Sequence, residues 1–170
     1  MSVVQTTHHH RFYPGDRREL AVTVDRFIDG APVFQPSVPV YGVIAPHAGY
    51  LFSGEIAGRS YRFLRDAGLH NPVVFLLGQS HNFALEIPAV LDETSYVTPL
   101  GSVPVERQAI AALLATRRFG ANTRAHTVEH SLEVHLPFLQ RVYGESFSIV
   151  PVLVGDMDAA TARRIAADLD

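Results

Sequence analysis

Two histidines of this chain stand where short apolar runs give way to loops: His47 in Pro46-His47-Ala48-Gly49-Tyr50, and His81 in Gly78-Gln79-Ser80-His81. The runs themselves, Val40 to Ala45 and Val73 to Leu77, carry the β-branched and apolar residues of buried strands. In open α/β sheets ligands bind at the carboxyl ends of the strands, so the two imidazoles are expected side by side at one sheet edge. Two neutral imidazoles form part of a divalent metal site, and imidazole suits iron, copper or zinc better than magnesium. A plainer reading gives each ring only a loop carbonyl to bond. The pairing of the two, and the backbone freedom conferred by Gly49 and Gly78, favour a site, with Tyr50 and Ser80 as pocket residues in the same loops.

A third polar cluster runs from His126 to His135 and includes Glu129, His130, Ser131 and Glu133. A helix starting near Glu129 would place His130 and Glu133 one turn apart on a common face and send His135 elsewhere. A cation is disfavoured at a helix N-terminus, so His130 there would have a lowered pKa and the makings of a general base. Glu129 and Glu133 are equally well explained as acidic residues favoured at that helix end, and both readings stand. The hydroxyls of Ser53, Ser80 and Ser131 show no His–Asp relay, which argues against serine hydrolysis.

The elements that must position these residues can be read from local pattern. Asp16 and Glu19 resemble a capping box opening a helix whose buried face is Leu20, Val24, Phe27 and Ile28. A proline-rich connector precedes the run Val40 to Ala45. Ser53 is a candidate cap for a following helix that stops at Gly68, and Val73 to Leu77 then completes a βαβ unit. Ile87 to Val105 reads as an extension or hairpin, and Glu106 to Thr116 as helix. The helix from Glu129 would bend at Pro137, Phe147 to Val154 is a core strand, and Asp158 caps a last helix. Strands alternating with helices predict a three-layer α/β/α sandwich on a mostly parallel sheet. Residues 1–11, with the His8–His10 run, are expected to be a flexible tail outside the site, and 12–170 a single domain.

Composition narrows the chemistry. The 170 residues include no Cys, and all 14 basic residues are Arg, so thiolate chemistry, a Schiff-base Lys and a Walker-type Lys are excluded within them. The formal net charge of −3 offers no basic face for nucleic acid, and no apolar stretch approaches the roughly 20 residues of a membrane span. No charged-then-apolar leader opens the chain, which reads as cytoplasmic.

Six ordered blocks carry a family resemblance: Phe12-Tyr13-Pro14-Gly15-Asp16; Ile44 to Tyr50 with Ser53-Gly54; Leu77-Gly78-Gln79-Ser80-His81; Thr98-Pro99-Leu100-Gly101; Glu129 to Leu139; and Val150 to Gly155. Together they resemble the Memo family, whose prokaryotic members are called AmmeMemoRadiSam system protein B. The resemblance implies the fold of the protocatechuate-type (class III) extradiol dioxygenases, whose metal is held by two His and one carboxylate; Memo proteins use a Cys as the third ligand. It places His47 and His81 at the two His ligands and His130 at the acid–base His of the dioxygenases. The third ligand lies beyond the matching region, so the chain reads as lacking the family's C-terminal part. The implied cofactor is a divalent metal, iron or copper ahead of zinc, and the implied partners are a radical SAM protein and a second member of the system.

Three functions follow as expectations: a non-haem, dioxygenase-like metal oxidoreductase in which His130 moves a proton; a non-catalytic adaptor that binds a small molecule or peptide; and a metal-assisted hydrolase.

Overall fold

The computed structural model describes residues 3–169. The chain is an α/β protein with two mixed sheets. The smaller sheet has the order β1-β4-β5, formed by Val3–Gln5, Ser95–Thr98 and Gly101–Pro104. Here β1 runs parallel to β4, while β4 and β5 are the expected hairpin, turning through Gly101 at φ +131°. The larger sheet has the order β2-β7-β3-β6, formed by Val73–Gln79, Ser148–Val154, Ala89–Val90 and Gly120–Ala121. The long β2–β7 pairing is parallel, Val73 opposite Ser148 through Gln79 opposite Val154, whereas β3 meets β7 antiparallel. Strand β7 is the buried spine, with Ile149, Val150, Val152 and Leu153 fully inaccessible.

Helix α1, Arg17–Asp29, begins as its capping pattern predicts, the Asp16 carboxylate accepting from the Glu19 N–H at 2.8 Å. Its four expected face residues are all buried. Helix α2, Tyr50–Asp66, crosses it closely because Gly54 and Gly58 leave room for Phe27. It begins four residues earlier than expected: Gly49 is the cap, and the Ser53 hydroxyl lies inside the first turn and donates to the Ala48 carbonyl. Gly68 follows the helix at φ +66°, a conformation that costs glycine little. Helix α3, Arg107–Ala115, is capped by Glu106, and α6, Ala159–Leu169, follows Asp158, whose carboxylate accepts from Thr161 N–H.

Three expectations fail. Val40 to Ala45 forms no strand, so His47 and His81 do not sit on adjacent parallel strands. No helix starts at Glu129. Instead α4, Thr123–Val128, ends there, a 3₁₀ turn follows at Glu133–His135, and α5 covers Leu136–Tyr143 with Pro137 in its first turn, where a missing N–H costs nothing. The segment read as a free tail is paired and packed from Val3 onward: β1 lies on β4, Val4 and Thr6 are buried, and Thr6 N–H bonds the Val97 carbonyl. Met1 and Ser2 lie outside the described residues.

Candidate metal centre

His47, His81 and His130 come together, each offering a ring nitrogen, with the three atoms within 4.8 Å of one another. Their ring centroids are 5.2 Å (His47–His81), 5.9 Å (His47–His130) and 4.8 Å (His81–His130), the last pair stacked. Three different local structures deliver them. His81 lies within the turn at the carboxyl end of β2, closed by the Ser80 hydroxyl, which donates to the Phe83 carbonyl and accepts from its N–H. His47 arrives on irregular chain just before α2. His130 lies in the bend between α4 and the 3₁₀ turn, brought close to β2 because Gly78 has no side chain to strike Ser131 and Leu132.

That bend is made by Glu129, whose side chain is 1% exposed. Its Oε1 accepts from His81 Nδ1 at 2.9 Å and from the main-chain N–H of His130 and Ser131 at 2.8 and 3.0 Å; its Oε2 accepts from His81 N–H at 2.5 Å. Burial alone would raise its pKa, but bonds from the His81 ring and backbone and from Ser131 hold it at about 2. Such bonding takes the place of a continuing helix, and it fixes His81 with Nδ1–H on the carboxylate and the Nε2 lone pair free. His47 and His130 are both pushed below the ordinary histidine range, first by burial and then by the neighbouring imidazoles, with Glu129 pulling the other way. Burial, with the neighbouring rings adding to it, therefore does what a helix dipole was expected to do for His130.

Sequence reasoning missed the roof of this site. Glu133, 2% exposed, accepts from Tyr13 Oη at 2.6 Å, from the N–H of Thr7 and His8 at 3.1 and 2.8 Å, and from His8 Nδ1 at 2.9 Å. This carboxylate straps residues 7–13 across the bend. Phe12 is thereby stacked on His130 at 4.3 Å, the His8 ring stands 5.9 Å from His130, and the Phe12 carbonyl accepts from Tyr50 N–H beside His47. The available signal is Phe12-Tyr13-Pro14-Gly15-Asp16, which the sequence reading uses as a block of the family resemblance and, at Asp16, as the cap of α1, without placing Phe12 or Tyr13 at the site. Tyr50 is buried, its hydroxyl donating to the Val134 carbonyl, so it anchors the His47 loop from inside the core. His135 lies away from the trio, packed near Tyr61.

The donor set fits a borderline divalent metal. Three ring nitrogens converge, His81 is oriented by a carboxylate in the arrangement usual behind metal-bound histidine, and burial disfavours protonation of the other two. Glu129 and Glu133 are both fully engaged in holding other groups. Neither is free to be a third, carboxylate ligand.

A sequence model of Memo-like proteins matches residues 5–170. This chain belongs to the Memo family. It is 39% identical over 165 residues to a MEMO1 family protein of Methanopyrus kandleri, covering 91% of this chain and 57% of that protein. It is 33% identical over 159 residues to one from Thermoplasma volcanium (93% and 58%) and 37% identical over 166 residues to one from Thermotoga neapolitana (91% and 59%). The chain thus spans less than three-fifths of the length of these Memo relatives. Among its described residues no helix is long and apolar enough to cross a membrane.

Proposed function

We propose that this chain is the metal-binding portion of a Memo protein, with His47 and His81 as ligands of a divalent metal, iron or copper ahead of zinc, in a dioxygenase-like pocket. The observation that carries the reading is the convergence of His47, His81 and His130 with Glu129 bonded behind His81. A bound metal supplies a Lewis acid with open positions at which a small molecule or peptide ligand is oriented. The remaining chemistry belongs to the chain. Glu129 keeps the His81 ring in one tautomer and one direction. His130, neutral near pH 7 and 3.2 Å from Glu129 through its Nδ1, accepts a proton from the ligand and keeps it beside a carboxylate. Phe12 covers the outer face of His130 and limits water there. The reaction class that this supports is non-haem oxidoreduction, in the AmmeMemoRadiSam system and beside a radical SAM partner in the cytoplasm.

Metal analysis after anaerobic purification, followed by a catechol turnover assay, tests the reading. Iron or copper lost on His81→Ala, with turnover, supports it. Zinc with ester or amide hydrolysis transfers the site to metal-assisted hydrolysis, and ligand affinity without any metal makes it a binding module.

A further inference from the structure

Two of the six tyrosines hold the hydroxyl against a base. Tyr13, 3% exposed, donates to Glu133 Oε1 at 2.6 Å, the short range expected where a hydroxyl meets a carboxylate, and Glu133 is itself buried. Tyr96 meets His126 Nδ1 at 2.8 Å, but among the described residues that imidazole is the one aromatic group its ring touches. Tyr13 is placed differently. It directly follows Phe12, whose ring is stacked on His130 at 4.3 Å, and it shares Glu133 with His8, whose ring stands 5.9 Å from His130. Beyond it the aromatic contacts continue into the core: Tyr50 lies 5.6 Å away, Phe138 stands 5.1 Å from Tyr50, and Tyr61 is stacked on Phe138 at 4.7 Å. The Tyr50 hydroxyl donates to the Val134 carbonyl, which is too weak a base to keep a proton. The histidine trio therefore has beside it one buried phenol with a proton acceptor already in place, and the next phenol along has none.

We propose that Tyr13 and Glu133 form a proton-coupled electron donor to the metal centre, with Tyr13 as the redox-active side chain and Glu133 as its base. A one-electron oxidant presented at the face of His47, His81 and His130 takes one electron from the Tyr13 ring; the phenolic O–H bond breaks, and its proton passes to Glu133 Oε1. The products are a neutral tyrosyl radical, a neutral carboxylic acid and the oxidant reduced by one electron. The cation left by electron loss alone would be a strong acid 2.6 Å from a carboxylate, so the proton moves with the electron. The oxidised pair then carries no charge, which suits its burial. Glu133 Oε2 keeps its bonds from the Thr7 N–H and the His8 ring, so the acid stays in place to return the proton when the radical is reduced. Burial and the adjacent carboxylate push the Tyr13 hydroxyl above the usual phenol range, so the phenol is intact until it is oxidised. Because Tyr50 has nowhere to put a proton, the radical stays on Tyr13. The role rests on the redox reading of the metal centre, whereas the chemistry of the pair itself needs no metal.

The test uses the metal-free chain. Tyr41→Phe and Tyr143→Phe first remove the exposed and the half-buried phenol that a dissolved oxidant reaches most easily. Tris(bipyridine)ruthenium(III), generated by flash and quench, supplies the oxidant, and freeze-quench electron paramagnetic resonance reads the tyrosyl radical. A radical is expected in this parent, abolished by Tyr13→Phe and retained in Tyr96→Phe. It should form more slowly in heavy than in light water, and about 100-fold more slowly in Glu133→Gln, which removes the base. The solvent isotope effect on the parent stands even if Glu133→Gln folds poorly, and a carboxylate with a merely structural role would not produce it. No radical in the parent, a radical that survives Tyr13→Phe, one that Tyr96→Phe abolishes, or equal rates in the two solvents overturns the proposal. With no metal in the experiment, a failure here is separate from a failure of the metal centre to bind one.

Discussion

The two arms that bring His81 and His47 together are built in opposite ways. His81 ends a seven-residue parallel pairing with β7 and is gripped at its ring and its N–H by a buried carboxylate. His47 follows a stretch that joins no sheet; the Ile44 carbonyl accepts from the Ser60 hydroxyl at 3.0 Å, and behind His47 Tyr50 N–H meets the Phe12 carbonyl and Tyr50 Oη the Val134 carbonyl. One imidazole is preorganised before any ligand arrives. The other must be ordered, which costs conformational entropy and weakens binding by the free energy needed to fix the loop. Metal affinity should therefore be limited by the His47 arm and set by the Glu129 arm.

The sharpest way to break this contrast is to remove Glu129. Glu129→Ala leaves the N–H groups of His81, His130 and Ser131 without their acceptor, and at about 1–3 kcal/mol for each orphaned buried donor the loss is several kcal/mol, visible as a large drop in the denaturation midpoint. Glu129→Gln can still accept but no longer orients His81 through a charge, and metal affinity should fall about 10–100-fold with a smaller loss of stability. Should Glu129→Ala leave both quantities unchanged, the carboxylate does not organise the bend.

A second test uses pH. His126 is buried and neutral between Tyr96 Oη, 2.8 Å from its Nδ1, and the Ala89 carbonyl, 3.1 Å from its Nε2, and burial lowers its pKa to about 4. Burial also lowers His135 to about 4. Because the folded pKa lies below the unfolded value, the unfolded chain takes up protons first as pH falls. Stability contributed by the neutral rings is thus whole above about pH 6.5 and is lost progressively toward pH 4, by about 3 kcal/mol for each ring at the lower limit. Urea titrations at pH 7, 5.5 and 4.5 read this slope directly. Tyr96→Phe should lower stability by about 1–2 kcal/mol at pH 7, because His126 Nδ1 then loses its donor.

Smaller still is the effect expected from the strap over the site. Tyr13→Phe removes a buried hydroxyl 2.6 Å from Glu133, at a cost of about 1–2 kcal/mol, and Glu133 keeps its three other donors. Phe12→Ala removes the stacked ring and about 0.5–1.5 kcal/mol of aromatic contact, and hydrogen exchange near His130 should rise more than the global stability falls.

The same contrast separates what the sequence disclosed from what it hid. Strands β2 and β7 and helices α1, α3 and α6 were legible because their signals are local: an apolar run, or a carboxylate three residues before the N–H it caps, as at Asp16 and Asp158. The βα positions also led correctly to His47 and His81 as neighbours, although one of the two strands invoked is absent. What was not legible was non-local. Glu133 takes all its donors from more than 100 residues away, so nothing near it announced that the first residues were a strap and not a tail. Glu129 looked like a helix N-terminus because acidic residues favour one, but its carboxylate bonds the N–H groups just after it and those of a distant strand end. The competing cue, Asn122 capping the short helix that stops at Val128, lay about two turns upstream.

The smallest effect is the most discriminating for the open arm. The Ile44 side chain is 97% exposed in the irregular stretch ahead of His47, so Ile44→Ser should change the stability of the chain alone by no more than about 0.5 kcal/mol. An apolar residue fully in water contributes nothing by burial, and its removal leaves no cavity. The comparison is with Leu76→Ser on β2, 9% exposed, where loss of buried apolar surface and insertion of a hydroxyl should cost several kcal/mol. If Ile44→Ser instead destabilises the isolated chain as Leu76→Ser does, Ile44 is buried in solution. The His47 arm is then ordered by the chain itself, and the asymmetry between the two imidazoles disappears.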